Sequence, residues 1–274
     1  MSESAESRKL GYMPSPPEQV GDGHPLALLG AAPVVLPDEA SVEMPPVLDQ
    51  TDEDCTANAV AIAIQAEMGK RPDGTWHPLA SRRFLYAFSR EIANISLAQN
   101  AGSFIWSTMQ VGRAIGFCPE SVLPYSYPVD QPPTQDADQA AADQTIGVDG
   151  VFRLASVDDA LLIDVLRSIA AGSTVPGGFM IDNAFMRATA GTVWPGPTGQ
   201  IVGGHAVTAC AFRGVRNGGD IDHAEVLYRS SWGDDFGDRG GIWIAARGVK
   251  LALDSWRVTV KVPAGYSSEE VTQS

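Results

Sequence analysis

The run from Cys55 to Met68 constrains this chain more than any other stretch. Val60, Ile62, Ile64 and Met68 are interleaved with Ala57, Ala59, Ala61, Ala63 and Ala66, which leaves few polar positions. Such a pattern predicts a helix that is apolar on nearly all sides, and a helix of that kind has to be buried. Gly69 follows as a plausible C-cap. The first residue of the run is a cysteine, and a thiol at a helix N-terminus feels the positive end of the backbone dipole, which favours thiolate. Gln50, just upstream, carries an amide that can stabilise an oxyanion at the same spot. A nucleophile of this type needs a histidine to take its proton, and the search for one organises the rest of the reading.

The chain supplies what such a helix needs around it. Phe84, Leu85, Phe88 and Ile92 predict a helix over 80–94, and a third helix is expected over 105–115, stopped by Gly116. Residues 128–147 read as a surface linker. Leu161, Leu162, Val165, Leu166 and Ile169 then predict an amphipathic helix over 157–171. Beyond it, β-branched and aromatic runs over 175–181, 204–212, 224–230, 241–245 and 256–262 are separated by Gly, Pro and Asp turns, which predicts antiparallel strands. Helices first and strands later give an α+β protein of two lobes around a cleft. The expected division is an extended N-terminal arm over 1–46 with a disordered tip, a body over 47–262, and a flexible tail over 263–274. Within the body, a helical lobe covers about 47–127 and a β lobe about 148–262.

Composition narrows the function. A formal charge of −14 argues against nonspecific binding to nucleic acid or to an anionic membrane surface. No apolar run is long enough to span a bilayer as a helix. The polar, acidic start of the sequence lacks the apolar core of a signal peptide, so a cytoplasmic location is expected, with non-classical export left open. Three scattered cysteines, Cys55, Cys118 and Cys210, are too few for a disulfide scaffold and are expected to be reduced. The latter two read as buried small hydrophobes.

Of the four histidines, His24, His77 and His223 lie in polar or turn contexts and read as surface residues. His205 differs: Gly203 and Gly204 lead through it into the apolar strand Ala206-Val207-Thr208-Ala209-Cys210, and a polar ring at the mouth of a buried strand needs a partner. Taken alone, a backbone-satisfied core histidine fits it equally well. Downstream, Ser230-Ser231-Trp232-Gly233 closes one strand and Gly240-Gly241-Ile242-Trp243 opens another.

Together, the order Gln50, Cys55, His205 and Ser230-Ser231-Trp232-Gly233 resembles the papain-like cysteine peptidases of the bacterial type without a large prodomain. Met44 through Gln50, Cys55-Thr56-Ala57-Asn58-Ala59, Ser81 through Tyr86, and Gly116 through Tyr125 add to the likeness, which covers about 45–262. The resemblance implies a two-lobe fold with a buried central helix and an antiparallel, barrel-like β lobe. It implies Cys55 as nucleophile, His205 as general base, and Gln50 with the Cys55 N–H as oxyanion donors. Ser230 would stand where the family has an orienting Asn, and Trp232 would shield that contact and line the substrate site. The implied reaction is hydrolysis of peptide bonds through an acyl-enzyme, with a peptide or protein substrate and no metal or cofactor.

Three positions depart from the family pattern. Ser230 replaces Asn, and its hydroxyl still accepts from an imidazole N–H but reaches less far. Glu53-Asp54 stands where Gly-Ser is usual, in a Gln-to-Cys interval one residue short. Asp54 either opposes the thiolate or caps the helix. Thr56 stands where many eukaryotic relatives carry Trp. These departures sustain an alternative reading: a papain-fold protein with degraded catalysis that binds a peptide or partner. Side-chain preference and oligomeric state are not legible, with Trp106, Phe179 and Phe185 as aromatic candidates for the cleft.

Overall fold

The computed structural model describes residues 8–16, 24–25, 35–143, 147–154 and 156–261. In chain order the elements are β1 (His24–Pro25), β2 (Ala40–Ser41), α1 (Cys55–Met68), α2 (Arg82–Ile92), α3 (Ile105–Ala114), α4 (Gln135–Asp143), β3 (Gly147–Arg153), α5 (Asp158–Ala170) and β4 (Val175–Asp182). They continue with α6 (Asn183–Met186), β5 (Val193–Trp194), β6 (Ile201–Arg213), β7 (Glu225–Arg229), β8 (Gly241–Ala245), α7 (Ala246–Val249) and β9 (Asp254–Lys261). The tail over 263–274 and the tip of the arm lie outside the described residues.

Helix α1 occupies the predicted run, and twelve of its fourteen residues are buried. It stops at Gly69, whose φ of 70° suits a residue without a side chain and whose N–H closes onto the Gln65 and Ala66 carbonyls. The helix packs against α2 and α3 on one side and against β6, β4 and β9 on the other. It therefore sits between the helical layer and the sheet, which is why no face of it is polar. Thr208 Oγ1 on β6 donates to the Ala59 carbonyl at 2.9 Å, which satisfies a hydroxyl at that seam.

The sheet runs β1-β3-β9-β4-β6-β7-β8-β5, with β2 pairing onto β6. All of the long pairings are antiparallel, while the two-residue strands β1 and β5 pair parallel with β3 and β8. The expected α+β class and the mainly antiparallel second region both match this architecture. Behind the sheet, α5 contributes Leu161, Leu162, Val165, Leu166 and Ile169 to a core shared with Phe179, Trp194, Phe212 and Tyr228.

The expected linker over 128–147 contains α4 instead. Asp136 and Asp138 lie in its first turn, where negative charge suits the helix dipole, and Thr134 Oγ1 accepts from the Ala137 N–H at 3.2 Å. Ala137 and Ala141, four residues apart, bury the one apolar stripe against the core that α1, α2 and α3 share through Val60, Phe84 and Met109. A stripe of alanines is too weak a signal to stand out in a stretch otherwise rich in Asp, Gln and Pro. His77 is a second correction. Expected at the surface, it is buried, with its N–H on the Gly69 carbonyl and its carbonyl receiving Gln65 Nε2 at 2.6 Å. The turn folds back under the end of α1.

Candidate active site

Cys55 opens α1 and is completely buried, as is His205 on β6. The thiol accepts the Ala206 N–H at 3.4 Å, so the residue after His205 is bonded directly to the sulfur. His205 Nε2 meets Ser230 Oγ at 3.0 Å. The short hydroxyl thus reaches the ring without an intervening water, because the β6–β7 pairing, after a register shift between Ala209 and Ala211, continues to Thr208 and Arg229. His205 Nδ1 is buried and has no partner among the described residues. Trp232 stacks on the imidazole, 3.9 Å between centroids at 13°, and Phe185 abuts both rings edge-on. Of the other aromatic candidates, Phe179 is packed into the sheet core against Trp194 and Tyr228.

The two halves of the site are strapped together at Gln50. Its N–H bonds to the Ser231 carbonyl at 2.8 Å, and Ser231 Oγ donates to Gln50 Oε1 at 2.5 Å. With the oxygen so held, the Nε2 end faces the carbonyls of Asp52, at 2.8 Å, and Leu10, at 3.3 Å. Sequence reasoning passed over Ser231, although its place beside Ser230 in the turn was a usable signal.

The Glu53-Asp54 loop is braced. Asp54 is fully buried at the N-cap position, yet its side chain makes no capping bond. Its oxygens instead take Arg83 Nη1 at 3.2 Å, Asn58 Nδ2 at 2.9 Å and the Tyr125 hydroxyl at 3.1 Å. Burial raises its carboxyl to about 6, against the pull of Arg83 and Tyr125. Arg83 also reaches Asp52, and both Arg82 and Arg83 lie over the Tyr125 ring. Arg83 of α2 thus answers the loop's acidity, while its neighbour Arg82 pairs with Glu120.

A third component is the N-terminal arm, which crosses the site as an extended peptide. Tyr12 N–H donates to the Gly204 carbonyl beside His205, at 3.2 Å, on the sheet side. On the helical side, Ser103 N–H donates to the Gly11 carbonyl at 2.8 Å and Met13 N–H to the Ser103 carbonyl at 3.0 Å. The Leu10 carbonyl accepts from Gln50, and the Lys9 carbonyl from Trp232 Nε1 at 2.9 Å. Arg8 lies over Trp232 and Phe236 and donates to the Met186 carbonyl. Burial, with a smaller contribution from Arg8, lowers His205 to about 3. Burial also pushes the Cys55 thiol well up; the Ala206 N–H opposes that shift and Asp54 adds to it. In this arrangement both groups are neutral at pH 7.

No protein-family model matches the sequence, and a search of curated proteins finds no match. Solved structures do match. Xylellain, a cysteine protease from Xylella fastidiosa, superposes with a TM-score of 0.75 and 25% identity over 93% of this chain and 97% of that one. Digestive procathepsin L 3 of Tenebrio molitor larval midgut gives 0.68 and 15% identity over 94% and 79%. Bromelain from Ananas comosus, in complex with the E64 inhibitor, gives 0.61 and 17% over 82% and 100%. The fold is papain-like. In that papain-like frame the structure brings Gln50, Cys55, His205, Ser230 and Trp232 into one cleft, with the Cys118 and Cys210 thiols buried elsewhere and unpaired.

Proposed function

We propose that this chain is a thiol peptidase in which Cys55 and His205 cleave peptide bonds. One observation carries the reading: a stretch of polypeptide already lies across the Cys55–His205 cleft, with one carbonyl on the Gln50 amide and the preceding one on the Trp232 indole. A substrate peptide in that cleft would offer its scissile carbonyl to the same Gln50 Nε2. The Cys55 proton passes to His205 Nδ1, and the sulfur attacks the carbonyl carbon. Gln50 Nε2 and the Cys55 N–H hold the oxyanion. Collapse expels the amine, protonated by His205, and water then releases the acid from the thioester. Ser230 accepts the Nε2–H and fixes the ring, while Trp232 keeps water from that bond.

The arm has to leave before a peptide enters, and its departure favours the chemistry. Water reaching Cys55 and His205 reverses the burial that holds both neutral, and removing Arg8 takes a positive charge from the imidazole. Labelling by an epoxysuccinyl probe tests this. The probe is expected on Cys55, not on Cys118 or Cys210, with labelling below pH 7 that slows in His205→Ala. Fluorogenic peptide hydrolysis is expected to vanish in Cys55→Ala. Hydrolysis that survives Cys55→Ala would sink the reading.

A further inference from the structure

The arm shows where the cleft takes a side chain. Tyr12 is buried, with its ring lying on Gly178 of β4 and Gly204 of β6. A Cβ at Gly178 would fall 2.1 Å from the ring carbon that bears the hydroxyl, and one at Gly204 would fall 2.2 Å from the Tyr12 carbonyl and 2.9 Å from the ring. Two glycines in adjacent antiparallel strands therefore open a slot that any side chain there would fill. At its end stands Asp254, which opens β9 directly opposite Gly178. The Tyr12 hydroxyl donates to Asp254 Oδ2 at 2.6 Å, and the Ser15 N–H reaches the same oxygen at 2.9 Å.

Asp254 is 2% exposed, and its other oxygen, Oδ1, is buried with no partner among the described residues. Among the described residues, both bonds to the carboxylate come from the arm. When the arm leaves, a buried carboxylate loses them together, and a buried charge without donors is costly. A slot of this kind binds best a side chain that restores a donor at the same depth. Arg153 lies near enough for its charge to act on the Tyr12 phenol, which weighs against a cationic occupant.

We infer that Asp254, at the floor of the Gly178–Gly204 slot, selects tyrosine in a peptide substrate, with Tyr12 as the tethered occupant. The inference deepens the peptidase reading and depends on the same cleft. A phenylalanine fills the slot but leaves Asp254 unpaired, and a site built to bond a hydroxyl discriminates strongly against the analogue that lacks it.

Binding and turnover are measured separately, on the full chain with the arm released. Gly11→Val with Tyr12→Ala releases it, because a Cβ at Gly11 would lie 2.0 Å from the Glu53 carbonyl oxygen. Adding Cys55→Ala gives a form that binds without cleaving. Fluorescein-labelled pentapeptides carrying Tyr, Phe or Arg at the central position are titrated against it by fluorescence anisotropy. The tyrosyl peptide is expected to bind about tenfold or more tightly than the other two, and Asp254→Asn or Asp254→Ala to bring Tyr and Phe together. Equal binding of Tyr and Phe, tighter binding of Arg, no binding of any peptide, or a preference that survives both Asp254 variants overturns the assignment. Turnover by the Cys55 form separates the two readings. Tyrosine-selective binding without hydrolysis removes the peptidase and keeps the pocket. Indiscriminate hydrolysis does the reverse.

Discussion

Asp54 and Asp254 are both buried aspartates flanking the cleft, and they are satisfied in opposite ways. Asp54 draws its partners from the body of the protein: Arg83 and Tyr125 from the helical region, and Asn58 from its own helix. Among the described residues, Asp254 draws both of its partners from the arm, and one oxygen has none. The first arrangement holds whether or not the arm is in place, so it serves the loop that aims Gln50 and Cys55. The second exists only while residues 12–15 are docked. A buried carboxylate served by a detachable segment is poised for another donor. Burial alone does not separate the structural aspartate from the functional one; the origin of the partners does.

The largest effect expected is at the structural aspartate. Arg83→Met strands Asp54 and should lower stability at pH 7–8 by about 3–5 kcal/mol in denaturant unfolding. A loss under about 1 kcal/mol would mean that Asp54 does not depend on that pair. Gly11→Val comes next: with the arm displaced, Cys55 labelling at pH 6.5 should rise about tenfold or more, since burial no longer holds the thiol up. The melting temperature should fall far less than in Arg83→Met. Unchanged labelling would show that water already reaches the thiol with the arm docked.

A pH titration tests the role of Asp54 more finely. Asp54 is raised in the folded state, to about 6 from 3.8, so its contribution to stability is complete below the unfolded value and is lost as pH rises through about 6. Wild type should therefore lose stability between about pH 4 and 7 relative to Asp54→Asn; parallel curves for the two proteins would remove this role. Tyr12→Phe should be milder, removing one bond to a charged acceptor, about 1.5–3 kcal/mol, from arm docking alone. It should appear as faster Cys55 labelling with unaltered global unfolding. The smallest change expected is Ser230→Asn, where an amide oxygen replaces the hydroxyl as the Nε2–H acceptor. Peptide turnover should stay within about threefold or rise, whereas a loss near a hundredfold would mean that Asn cannot reach the ring from this backbone.

The sequence carried unequal information about these parts. Helix α1 was legible to the residue, because an all-round apolar run bounded by a Cys and a capping Gly has only one use. Strands β4 and β6 to β9 were legible to within a few residues from their β-branched runs, whereas β3 and the two-residue strands were not, and neither was α4, since its buried face is two alanines. Gln50, Cys55, His205 and the Ser230–Trp232 turn stood out because each is a polar group set into an otherwise apolar or glycine-rich context. Ser231, Arg83, Tyr125 and Asp254 did not, because nothing in their neighbours distinguishes them from surface polar residues.

What the sequence determined by itself was the buried helix, the order of the chemical groups and the α+β class, all of which follow from local periodicity and residue chemistry. What only the tertiary structure decided was pairing between residues far apart in the chain. Asp54 found Arg83 rather than its own helix amides, because α2 packs beside the loop and its guanidinium offers a stronger bond than an N-cap. Tyr12 found Asp254, 242 positions away, because two glycines on neighbouring strands leave a slot that the arm can enter. Contacts of that range depend on how strands are laid side by side, and no local pattern encodes them.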